Sequence, residues 1–199
     1  PAMKSVELHY DFSSPNAYFA AMALPAVAAR RGASIDYRPF FLGGLFKLLG
    51  APQTPGMSSP EKAAQSLRDL ERWSRKYDIP FRFPSRFPMN TLKALRLALL
   101  AEELGVAHGK LAEAVFRAYW VDDRDISDDA VLSEILTSLG VDAPSALARA
   151  DSPEVKDALR ARTEAARVRG IFGAPVCIVG DELFFGKDRL EFVEDALAS

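Results

Sequence analysis

The chain has 199 residues, 49% of them hydrophobic and 26% charged, enough apolar material for one packed domain or a domain carrying an insert. Its formal net charge of −2, with acids and bases interspersed, excludes the basic footprint of nucleic-acid or anionic-membrane binding, and no apolar run approaches the roughly 20 residues of a spanning helix. A lone cysteine, Cys177, rules out an intrachain disulfide, and with His9 and His108 it makes no recognisable zinc set.

The opening segment, PAMKSVELHY, lacks the long apolar core of a signal peptide, so a cytoplasmic location is the expectation. Val6–Tyr10 reads as a strand. Asp11 and Phe12 follow, and Ser13-Ser14-Pro15 opens a helix that runs to about Arg31, with Gly32 as its C′ residue. SIDYRPF alternates and is β-branched or aromatic at Ile35 and Tyr37, a second strand. Residues 41–60 are rich in Gly and Pro and hold one short helix, Leu45–Leu49.

Ser59 as N-cap and Pro60 at N1 start a long helix with Leu67, Leu70, Trp73 and Tyr77 at helical spacing. FRFPSRFPMN is an aromatic, Pro-broken loop. Asn90 can cap a helix over Thr91–Leu104 that stops at Gly105. Further helices are expected at Gly109–Trp120, Ser127–Leu139 and Pro153–Arg169, with a short one at Ala143–Ala150. APVCIVGDELFFG then reads as a β-hairpin, Val176–Val179 and Leu183–Phe185. A final helix follows, with Asp188 near its start and Leu190, Val193 and Leu197 on one face.

The order is β-α-β, a block of helices, then β-β-α. Both terminal pieces must build one sheet. That is an α/β, thioredoxin-like fold with a large all-helical insertion, an arrangement that resembles the DsbA-type oxidoreductases. The expected division is a discontinuous thioredoxin-like domain, residues 1–45 and 168–199, and a helical insertion domain, residues 46–167.

In that fold the first strand-to-helix junction carries Cys-x-x-Cys. Here it reads Ser14-Pro15-Asn16-Ala17, so dithiol–disulfide exchange is impossible. A serine there can still donate a hydrogen bond to a thiolate supplied by a ligand, and a helix start favours an anion. Ser13 or Ser14 reads equally as a plain N-cap. Ala174-Pro175 stands where the fold has a cis proline, whose preceding residue can pair with a peptide-like ligand; the plain reading is a proline that starts a strand. In FFGKDRL, Asp188 can accept from an ammonium and the helix-start amides can bind a carboxylate, the chemistry of an α-amino acid head group; the alternative is Asp188 as N-cap. Lys47, on the short apolar helix, reads as a surface charge or a ligand contact. Cys177 reads as buried and inert. His9 has no evident partner. Trp73 and Trp120 read as core.

Together LHYDFSSPNAYFA, LERWSRKYDIPFRFP and GIFGAPVCIVGDELFFGKDRL resemble the 2-hydroxychromene-2-carboxylate isomerases, which share a fold with the kappa-class glutathione transferases. The resemblance covers essentially the whole chain. It implies glutathione as cofactor, with Ser14 facing and stabilising its thiolate, and Ala174, before Pro175, pairing with its cysteinyl backbone. Phe185, Gly186, Lys187 and Asp188 would surround the γ-glutamyl head and Lys47 would approach the ligand. Gly50-Ala51-Pro52-Gln53 stands where the family has Gly-Asn, so the asparagine is either lost or replaced by Gln53 after a shift. The implied reaction is thiolate addition to the conjugated double bond of the ring-opened chromene, rotation and release as trans-o-hydroxybenzylidenepyruvate. Lys47, Arg86 and Asn90 are unranked candidates for the substrate carboxylate. The alternatives are a kappa-like glutathione transferase or peroxidase, and a cysteine-less DsbA-like peptide-binding module. Relatives are homodimers, and the crowding of Phe40, Phe41, Leu42, Leu45 and Phe46 suits either a dimer interface or a substrate pocket.

Overall fold

Alternation in VELHYD decides the first strand, β1 (Ser5–Tyr10): Val6, Leu8 and Tyr10 are fully buried on one face, and Glu7 and His9 point to the other. The coordinates are a computed structural model that describes residues 3–199; residues 1 and 2 of the expected first domain lie outside it. β1 leads into α1 (Pro15–Arg30), which runs through Pro25 and is closed by Gly32 in the left-handed region. β2 (Ser34–Pro39) lies parallel to β1, with Leu8 opposite Tyr37. β3 (Val176–Val179) pairs antiparallel with the other side of β1, Leu8 opposite Cys177, and β4 (Glu182–Phe185) completes the order β2-β1-β3-β4.

Between β2 and β3 lie α2 (Leu42–Leu49), a 3-10 turn (Pro55–Met57), α3 (Pro60–Tyr77), α4 (Leu92–Leu99), α5 (His108–Trp120), α6 (Asp129–Ser138), α7 (Ala143–Ala150) and α8 (Pro153–Val168). The last helix, α9 (Leu190–Ala198), packs beside α1 with Leu190, Val193 and Leu197 buried. The expected β-α-β, helical block, β-β-α order is therefore the observed one.

Three boundaries differ for physical reasons. α2 starts at Leu42 rather than Leu45, because the carboxylate of Asp11 accepts the Leu42 N–H at 2.8 Å and pins the helix start. α4 ends at Leu99, not Leu104: Leu100 and Ala101 tighten to i→i−3 bonds, and the turn closes at Gly105 with φ +70°. α9 begins at Leu190, so Asp188 does not cap it; Arg189 holds the cap position without a side-chain bond. The expected domain boundaries, 45/46 and 167/168, fall inside α2 and α8, and the buried apolar residues of both parts form one cluster.

Two buried polar pairs knit the halves together. Trp120, fully buried on α5, donates from Nε1 to the Phe12 carbonyl at 2.8 Å. Tyr10 and His108 Nε2 share a 2.8 Å hydrogen bond, with Tyr37 stacked on the imidazole at 5.0 Å. Burial, helped by the nearby Arg162 charge, pushes the His108 pKa down to about 4. His9, which the sequence left unpartnered, meets Glu7 Oε2 at 2.6 Å.

A histidine kept neutral in the fold gains its proton first in the unfolded chain. Its stabilisation is complete above the unfolded value of 6.5 and is lost as pH falls through about 4. Acidification across that window should remove up to about 3 kcal/mol through this residue. In urea titrations, His108→Gln should flatten the pH dependence of stability between those values; an undiminished slope would place the acid sensitivity elsewhere.

Candidate active site

The strand β1 ends at Tyr10, and the next residue is a carboxylate with no exposure at all. Asp11 Oδ1 accepts from the Ser13 N–H at 3.0 Å and the Thr91 hydroxyl at 2.7 Å, and Oδ2 accepts from the Leu42 N–H at 2.8 Å. Burial raises the Asp11 pKa and these donors oppose it. One charge thus fixes the entries of α1, α2 and α4. Ser13, Leu42 and Thr91 all line a single cavity of about 860 Å³, within the size range of small-molecule sites.

Ser14 is buried at the cavity edge, 6% exposed, with extended backbone as an N-cap requires. Its Oγ accepts from the Ala17 N–H at 3.1 Å and donates to the Ala174 carbonyl at 3.2 Å. Capping and facing a ligand are therefore compatible in one atom. The Ala174–Pro175 bond is cis. The Pro175 carbonyl accepts from the Gly186 N–H at 3.0 Å, and the Ala174 N–H has no hydrogen-bond partner among the described residues. Gly186 has φ +107°, and a Cβ there would meet the Asp188 carboxylate at 2.5 Å, so glycine is required.

Lys187 supplies the polar end. It is 8% exposed, its Nζ stands 3.6 Å from Asp69 and 5.3 Å over the Trp73 ring, and its carbonyl accepts from the Tyr77 hydroxyl. Burial lowers its pKa, and Asp69 opposes the shift. Leu67 and Leu70 of the α3 stripe line the cavity with Asp69 beside them, so the helical block walls the site that the sheet begins. Trp73, read as core, is half-buried and shields this ammonium. Phe41, Phe46, Phe83, Phe87 and Met89 give the lining its aromatic and apolar wall. The crowded aromatic loop thus goes to core and cavity: Phe40, Leu42, Leu45 and Phe46 are buried.

Of the residues singled out from sequence, Ser14, Gln53, Asn90, Ala174, Phe185 and Lys187 line the cavity. Gln53 Nε2 donates to the Gly43 carbonyl at 3.3 Å, and Asn90 Oδ1 accepts from the Leu92 N–H at 3.0 Å. Pro175, Gly186 and Asp188 are chain neighbours of lining residues but are not themselves in the lining; Asp188 is exposed and pairs with Arg189 at 2.7 Å. Lys47 and Arg86 are exposed and outside it. Asp11, Asp69 and Thr91 were missed. Asp11 had a signal, an acid breaking an apolar strand just before a turn; Asp69 had none, since its role depends on the approach of a residue more than a hundred positions away.

The chemistry of the lining is one-sided. It contains neither histidine nor cysteine, and its only charged side chains are Asp69 and Lys187. Ser14 has no base beside it, so it is not an activated nucleophile. Cys177 is buried on β3 with its thiol pushed up to about 12. The lining can bind and polarise a ligand.

Residues 5–198 match the DSBA-like thioredoxin domain. The chain is 32% identical to 2-hydroxychromene-2-carboxylate isomerase of Sphingobium xenophagum, covering 98% of each chain. It is 28% identical to glutathione S-transferase kappa 2 of Caenorhabditis elegans over 100% of this chain and 93% of that one. A solved 2-hydroxychromene-2-carboxylate isomerase superposes with a TM-score of 0.88 at 26% identity, covering 97% of this chain and 94% of the other. A DsbA-like thioredoxin sheet, serine in place of the redox cysteine and end-to-end similarity to the isomerases together show that this chain belongs to the 2-hydroxychromene-2-carboxylate isomerase family.

Proposed function

We propose that the protein is a glutathione-dependent isomerase that interconverts 2-hydroxychromene-2-carboxylate and trans-o-hydroxybenzylidenepyruvate or a close aromatic relative. The observation that carries the reading is the Ser14 hydroxyl, held at a helix start beside a large cavity whose lining holds neither histidine nor cysteine. The donor set fits a small zwitterionic thiol peptide. Lys187 offers a cation, Asp69 an anion, Ala174 a free N–H, and Ser14 a hydroxyl between them and the aromatic wall.

Glutathione supplies, when bound, the thiolate that adds to and later leaves the conjugated double bond. The chain's part is to hold and to polarise. Ser14 keeps its Oγ fixed through the Ala17 N–H and turns its one proton from the Ala174 carbonyl towards an anion. The positive end of α1 favours the same charge. Lys187 and Asp69 orient the head group, with Phe185, Gly186 and Asp188 around it and Pro175 presenting Ala174; Gln53 and Lys47 are the outer contacts. Phe83, Phe87 and Met89 enclose a flat ring and exclude water. Asn90 is the candidate for the substrate carboxylate that reaches the cavity; Lys47 and Arg86 would serve only if their side chains swing inward.

A kappa-like transferase would use the same thiolate against another electrophile, and the 28% identical kappa relative is what favours it. Turnover of a chromene carboxylate but not a halogenated arene would decide for the isomerase. The Lys187–Asp69 pair in the cavity lining weighs against a peptide-binding module. A homodimer is part of the proposal; light scattering should give twice 21.8 kDa, and a monomer would remove it.

Ser14→Ala should raise the pKa of bound glutathione and lower turnover roughly 5- to 150-fold, matching the loss of about 1–3 kcal/mol for a hydrogen bond to an anion. It should also cost about 1 kcal/mol of stability through the cap, so urea unfolding is run beside the thiolate absorbance titration. Unchanged absorbance and turnover would sink the assignment. Lys187→Met should weaken glutathione binding about tenfold or more in calorimetry with little loss of turnover at saturation. An unaltered affinity would move the head group elsewhere.

A further inference from the structure

The face of a sheet that lies under a helix is ordinarily apolar. Under α8 it is charged. Glu7 lies opposite Asp36 and His9 opposite Arg38 in the β1–β2 register, so four polar side chains form a block on adjacent strands. From above, α8 and the residue after it bring Arg162 and Arg169, seven positions apart and so on one helical face. His9, Arg38, Arg162 and Arg169 line a cleft of about 50 Å³, whose lining includes no carboxylate. It shares no residue with the larger cavity.

The two nearby acids are already engaged. Asp36 holds Arg38 through Nε at 2.8 Å, and Glu7 holds both His9 and Arg169. Arg162 has no hydrogen bond or ion pair among the described residues, and its Nη1 is buried without a partner. A guanidinium nitrogen in that position loses its water and gains nothing. Burial and the Arg38 charge both work against the Arg162 charge. Three guanidiniums face two carboxylates, so one positive charge is left over in a cleft that presents donors. The space is several times the roughly 10–15 Å³ that one water requires.

We infer that this cleft binds one tetrahedral oxyanion, phosphate or sulfate, with Arg162 as principal ligand and Arg38 and Arg169 beside it. An oxyanion satisfies the orphaned Nη1, balances the surplus charge, and matches the fork of a guanidinium.

Thermal unfolding of the full chain tests this in sodium chloride, sodium phosphate and sodium acetate at matched ionic strength. Phosphate at about ten times its dissociation constant should raise Tm by roughly 3–5 °C over chloride, and acetate should not. Arg162→Met should show no drop in Tm in chloride, because it removes an uncompensated charge, and should lose the phosphate increment. Lys187→Met should keep that increment, which separates this cleft from the large cavity. If Arg162→Met does not fold, Arg169→Met serves, with a weakened increment expected. Glycerol 3-phosphate distinguishes a free ion, if it is inert, from the phosphoryl end of an ester, if it acts as phosphate does; either carries the inference. No phosphate increment in the parent protein, an equal increment in Arg162→Met, or an equal response to acetate overturns it.

Discussion

The cavity depends on one buried charge that does not line it. Asp11 gathers a backbone amide from the entry of α1, another from the start of α2, and a hydroxyl from the entry of α4. Each of those donors sits beside cavity residues, so the spacing between Ser14, the Phe41–Phe46 segment and the Asn90–Leu92 segment is set by the bite of one carboxylate. The two backbone amides and the hydroxyl offset part of the desolvation of the acid. The arrangement is more rigid than apolar packing alone would make it, because each donor has a fixed direction.

Against that frame the remaining polar groups divide the labour. The sheet edge provides Ala174 and Lys187, and the helical block provides Asp69 and the aromatic wall. Neither half holds a site alone. The Ser14 hydroxyl ties the start of α1 to the segment before β3, since it accepts from Ala17 and donates to a carbonyl 160 residues away. A fold built around thiol chemistry has here kept its geometry and given up its sulfur: the lone thiol lies inside the sheet at Cys177, where burial holds it protonated.

Much of this was legible in the sequence because it is local. Ser14-Pro15 and Ser59-Pro60 announce helix starts, and both serines do cap, at 3.1 and 3.2 Å. The Gly180 turn and the β-branched run before it announce the hairpin. What was not legible is set by tertiary approach. Asp69 is one acid among many on α3 until Lys187 is laid against it. Asp188 looks like a cap from its place before a helix, yet the helix begins two residues later and the carboxylate turns to Arg189. The charged layer under α8 was hidden for the same reason. Glu7, His9 and Arg38 alternate with apolar residues as an exposed strand face would, and only the placement of α8 covers them, burying His9 and leaving Glu7 and Arg38 partly exposed. Lys47, on the apolar helix α2, is exposed and lies outside the cavity lining.

The strand order has a consequence for how the chain is made. β1 is a central strand, paired on one side by β2, which follows it after the α1 crossover, and on the other by β3, which begins at residue 176. At a synthesis rate of about 5–20 residues per second, the second edge of β1 waits on the order of ten seconds for its partner. During that interval a strand carrying Val6, Leu8 and Tyr10 has an open row of amides and carbonyls, the template on which neighbouring chains pair. The helical block is synthesised in this gap and its contacts are mostly local, so it can fold while the sheet is still unfinished. The nascent protein is then a helical bundle with an unsealed edge, and the last 24 residues close it.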